Sequence, residues 1–72
     1  MKMSRLVSNK ILNTVLSTQQ PFRAENIQLI EEMNGLSLEI SEVREYLKSL
    51  VTNHILTIEG KFYKLDSAIF MA

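Results

Sequence analysis

The chain has 72 residues, 46% of them hydrophobic and 22% charged, with no cysteine, one histidine and a formal net charge of 0. That length holds one domain around one core, and the composition lies outside the low-hydrophobicity, high-charge range of disorder. Disulfide frameworks and cysteine–histidine zinc sites are excluded, and a balanced net charge gives no global pull toward nucleic acid or membrane. No window reaches 18 uninterrupted apolar residues, and the start MKMSRLVSN lacks the apolar stretch of a secretory signal, so a cytoplasmic protein with no membrane contact is expected.

Pro21, Gly35 and Gly60 divide the chain into four segments. In the first, Leu6, Val7, Ile11, Leu12, Val15 and Leu16 recur at three- and four-residue spacing, which predicts a helix over 4–18. Ser4 is placed to cap it, and Pro21 disfavours helical geometry at Gln20. The second helix, over 23–34, puts Ala24, Ile27, Ile30 and Met33 on one face and leaves Glu25, Gln28, Glu31 and Glu32 mostly outside. Asn34 and Gly35 are the two residue types best suited to the left-handed conformation that closes a helix. The third helix, over 38–53, carries Val43, Leu47 and Leu50 on its stripe. Either Ser37 or Ser41 is available as its cap, and Leu38 and Ile40 are its first turn or an apolar lead-in.

From Leu56 the hydrophobic period changes to two, which predicts a β-hairpin over 55–65. A turn at Glu59-Gly60 pairs Ile58 with Lys61 and Leu56 with Tyr63. Leu56, Ile58, Tyr63 and Leu65 then share the face that packs on the helices, while Thr57 and Phe62 face away. Residues 66–72 form a tail in which Ile69, Phe70 and Met71 are too apolar for a solvated end, so they are expected to dock on this domain or on a partner.

The predicted fold is therefore mainly α with a small β-hairpin. Between Ala24 and Leu65 the order is helix, tight Gly-containing turn, helix with Val43, Leu47 and Leu50 spaced as V-x-x-x-L-x-x-L, apolar Ile55-Leu56, and a return through Phe62-Tyr63 and Leu65. This order resembles the winged helix-turn-helix family, a type common among small DNA-binding regulators. The resemblance implies three helices followed by a two-stranded wing as a single domain, with the third helix in the major groove and the wing on phosphate or minor groove. Carried onto this chain, it implies that Ser41, Arg44, Glu45 and Lys48 face the groove, that Lys61 and Lys64 meet the backbone, and that Arg23 meets a flanking phosphate. Double-stranded DNA would be the partner and transcription regulation the role. Where the family commonly has a glycine after the third helix, this chain has Asn53-His54.

Charge along the chain bears on that expectation. Residues 1–24 carry Lys2, Arg5, Lys10 and Arg23 with no acid, whereas residues 25–45 carry six glutamates against Arg44 alone. Phosphate binding needs cations, so an acidic central segment weakens non-specific affinity. The same helix residues also read as a solvated face, with Glu45 pairing Lys48 three residues on. The other reading is a protein-interaction module, favoured by the acidic centre, by Phe62 on the outer face of the wing and by the apolar tail. A homodimer through the first helix and the tail would serve either reading.

Chemistry beyond binding has little to build on. His54 sits at a helix end, where an imidazole acts as a cap or dipole partner, and no nucleophile accompanies it. Glu31 and Glu32 are adjacent on a helix and point about 100° apart, which is wrong for a carboxylate pair. Neither an enzyme nor a bound cofactor or metal is expected.

Overall fold

Ser4 opens the first helix as its position predicts, its Oγ accepting the Val7 N–H at 3.2 Å. The computed structural model describes residues 4–18 and 20–66. It contains α1 (Arg5–Ser17), α2 (Ala24–Met33), α3 (Ile40–Thr52), β1 (Leu56–Glu59) and β2 (Phe62–Leu65). Three helices followed by a two-stranded antiparallel hairpin is the topology of a helix-turn-helix with a wing. The core takes Ile11 and Val15 from α1, Phe22, Ala24 and Ile27 from the start of the second segment, Val43, Leu47 and Leu50 from α3, and Leu56 from β1.

Both helices of the helix-turn-helix end in the same way. At the end of α2, Gly35 has φ +89°; its N–H donates to the Glu32 carbonyl, and the Leu36 N–H donates to the Glu31 carbonyl. At the end of α3, His54 has φ +62°; its N–H donates to the Val51 carbonyl, and the Ile55 N–H donates to the Leu50 carbonyl. These are the two bonds of a Schellman motif, which satisfy carbonyls left over at a helix end. At α3 the motif is closed by a histidine in a conformation that strains a side chain bearing Cβ.

Four expectations are corrected. Neither Ser37 nor Ser41 caps α3. Its N-cap is Glu39, and Leu38 belongs to the lead-in, because the Gln28 amide donates to the Leu38 carbonyl at 2.9 Å and holds that segment outside the helix.

The hairpin turn is Gly60-Lys61, not Glu59-Gly60, and it pairs Ile58 with Tyr63 and Leu56 with Leu65. Gly60 has φ +60° and Lys61 no positive φ, the combination of a type II′ turn, which needs glycine at its first central position. The register therefore slips by two residues, which leaves Leu56, Ile58, Tyr63 and Leu65 on a common face because side chains alternate with period two.

The third correction concerns α2, where the buried residues are Ala24, Ile27 and Glu31, while Ile30 and Met33 are exposed. A three-residue spacing drifts by about 60° per step on a 3.6-residue helix, so by Met33 the row begun at Ala24 has reached the opposite side. Glu31, only 1% exposed, accepts a hydrogen bond from the Thr14 hydroxyl of α1. Finally, no ion pair joins Glu45 to Lys48; Arg44 pairs instead with Glu25, and on the hairpin Lys64 pairs with Glu59.

The connection between α1 and α2 carries a feature not predicted from sequence. Phe22 donates its N–H to the Tyr63 carbonyl at 2.9 Å and accepts the Tyr63 N–H at 2.7 Å, forming an antiparallel bridge on the free side of β2. The two rings stack with centroids 6.0 Å apart. The residues just before α2 are thus tied to the wing.

Candidate nucleic-acid interface

Because Val43, Leu47 and Leu50 turn inward, α3 presents Ser41, Arg44, Glu45 and Lys48 along its exposed side. The core-facing side of the hairpin extends past the core at its tip, where Ile58 and Tyr63 face α3 across an open groove of about 410 Å³ lined also by Arg44, Lys48, Val51 and Thr52. A neighbouring recess of about 350 Å³ shares Arg44, Ile58 and Tyr63 with that groove and is completed by Arg23, Ala24, Glu25, Gly60 and Lys61.

Four of the cations expected to meet DNA therefore converge. Arg44 and Lys48 come from α3, one turn apart on the same stripe. Lys61 comes from the turn of the wing. Arg23 is brought beside them by the Phe22–Tyr63 bridge, which precedes it by one residue and fixes the start of α2 against β2. Asn26 then anchors Arg23 from the helix side, its Oδ1 accepting the Arg23 N–H at 2.8 Å.

Lys64 is not part of this convergence. It lies on the opposite face of the hairpin with Thr57, Glu59 and Phe62, and its Nζ is 2.8 Å from the Glu59 carboxylate. Ser41 and Glu45 are exposed on α3 but line neither recess. Phe62 is 48% exposed on the outer face of the wing, where the sequence places it. Ile69, Phe70 and Met71 lie outside the described residues.

Sequence reasoning missed Glu25. It lines the recess, with its carboxylate 3.8 Å from the Arg44 guanidinium and both side chains about half exposed. An exposed pair of that separation contributes little to stability, but it places one negative charge among the four cations. It also missed the bridge at Phe22. The available signal was Pro21 followed by an aromatic residue, an extended dipeptide suited to the edge of a sheet.

Burial of Tyr46 raises its phenol above the usual range. His54 closes α3 through its backbone conformation and is exposed. Among the described residues, no group of three or more His, Asp or Glu side chains is placed to hold a metal ion, and no helix is long and apolar enough to cross a membrane. Compared with protein-family models, curated proteins and solved structures, the chain matches none.

Proposed function

We propose that the protein is a small cytoplasmic DNA-binding regulator of transcription that uses α3 and the wing on double-stranded DNA. The observation that carries this reading is the placement of Arg23, Arg44, Lys48 and Lys61, from three separate parts of the chain, around two adjoining recesses that share Arg44. Cations gathered on one face replace counterions along a phosphate backbone, and this gives affinity independent of sequence. Ser41 and Glu45, exposed on α3, are then the side chains offered to base edges, where a carboxylate can accept from cytosine N4. Lys64, paired with Glu59 on the far face of the hairpin, has no part in the primary contact.

The test is binding of a mixed-sequence duplex followed by fluorescence anisotropy over a range of salt concentrations. Arg44→Ala and Lys61→Ala should each weaken binding and lower the salt slope by about 1, as expected for loss of one phosphate contact. Affinity and slope unchanged in both variants would remove this docking.

A protein-interaction module is the second reading, favoured by the exposed Phe62 ring on the outer face of the wing. Amide NMR spectra distinguish the two. DNA-induced shifts at 41–48 and 60–61 support the first, and shifts confined to the outer face on adding a protein partner support the second.

A further inference from the structure

α2 is apolar on two sides. Its inner side holds Ala24 and Ile27, and its outer side exposes Leu29 (57%), Ile30 and Met33 (79%). At about 100° per residue these three form a stripe turned away from Ala24 and Gln28, the residues that face the recess and the α3 lead-in. The same helix keeps an ionisable group, Glu31, inside. Three large apolar side chains outside and a carboxyl inside is the reverse of what an isolated surface helix gains from, so the outer stripe is built for contact.

Charge selects the occupant. α2 carries Glu25, Glu31 and Glu32 and no base; the exposed Glu32 borders the stripe beside Leu29, while Glu25, on the same edge, lies 3.8 Å from Arg44. A second α2 laid on this face would bring glutamates together. α1 is the complement: it carries Arg5 and Lys10 with no acid, and it exposes Leu6 (68%) one turn from Lys10 on the same stripe.

We propose that the outer face of α2 docks a second copy of this chain through its α1, with the reverse contact repeated across a two-fold axis. Such an isologous contact uses Leu6 and Lys10 of each copy against Leu29, Ile30, Met33 and Glu32 of the other. It leaves α3 and the wing groove of both copies open, and it does not depend on those grooves binding DNA. The contact lies at the small end of protein interfaces, so the dimer forms in a concentration-dependent way.

Sedimentation equilibrium of the full chain, from about 10 µM to 1 mM, reads the mass directly in the range where a small interface exchanges. The expected result is a rise from the 8.3 kDa monomer toward twice that mass. Leu29→Glu with Met33→Glu should stay monomeric while retaining the helical circular dichroism of the parent. Glu32→Lys should weaken association at least tenfold, and combining it with Lys10→Glu should restore it, which assigns α1 as the facing element. A parent that stays monomeric at the highest concentration overturns the proposal. So does undiminished association in the Leu29/Met33 variant, or failure of the charge exchange to restore it. If the Leu29/Met33 variant loses its fold, dilution of the isotope-labelled parent decides instead: amide shifts at 6–10 and 29–33 support the contact, and shifts elsewhere overturn it.

Discussion

His54 shows a single backbone angle overriding residue preference. At φ +62° it completes the Schellman motif of α3, a position at which Cβ costs roughly 1–2 kcal/mol relative to glycine. Part of that cost offsets the extra chain freedom of glycine in the unfolded state, so His54→Gly should stabilise the protein by about 1 kcal/mol, measured as a shift in urea midpoint. Gly60→Ala should do the opposite by a similar amount. Nothing lies within 4 Å of the added Cβ, so that loss would come from the backbone conformation alone. The Thr14–Glu31 pair poses a different question, because a lone buried carboxyl is costly whereas a buried pair is nearly neutral against apolar replacements. Thr14→Val alone should cost about 2 kcal/mol and Thr14→Val with Glu31→Leu much less, a non-additivity that a double-mutant cycle would read.

At the scale of elements, the order and bounds of the three helices and the hairpin follow from periodicity, caps and breakers to within a residue or two. Ser4, Pro21 and Asn34-Gly35 each act through local backbone chemistry, which a sequence displays. The misread features depend on partners far along the chain. On α2, Glu31 turns inward with Ala24 and Ile27 and accepts from the Thr14 hydroxyl 17 residues away, and at the start of α3 Gln28 holds the Leu38 carbonyl. Neither constraint is visible within a window. The cations of the groove were legible as residue types on α3 and the turn, but their convergence with Arg23 was not, because it depends on the Phe22–Tyr63 bridge. Phe22→Ala should cost about 3–5 kcal/mol as a buried aromatic truncation. At temperatures where the variant remains folded it should also weaken DNA binding more than Arg23→Ala does, since it releases the whole start of α2 from the wing.

For the molecule as a whole, the net charge of 0 conceals a segregated distribution: cations at the start of the chain and around the groove, acids on α2 and the first half of α3. On the DNA-binding reading proposed above, such a molecule would gain less from general attraction to DNA than a basic protein does, and would rely on the few cations aimed at one face. Alkaline pH probes the fold independently of this. The Tyr46 phenol is raised by burial, so at pH above its unfolded value of 10.0 the unfolded chain loses that proton before the folded one and stability falls. Urea midpoints measured from pH 8 to 11 should decline for the parent protein, with a shallower decline in Tyr46→Phe.

The bridge between Phe22 and Tyr63 has one more consequence. It joins the half of the chain that holds α1 and α2 to the half that holds α3 and the wing, alongside the shared core of Ile27, Val43 and Leu47. The covalent link between those halves, residues 34–39, is a short stretch outside any helix or strand. Cutting the chain there would separate two peptides whose backbones already hydrogen-bond in register. They should recombine from solution into a native-like complex, one peptide supplying the template for the other, as in fragment complementation.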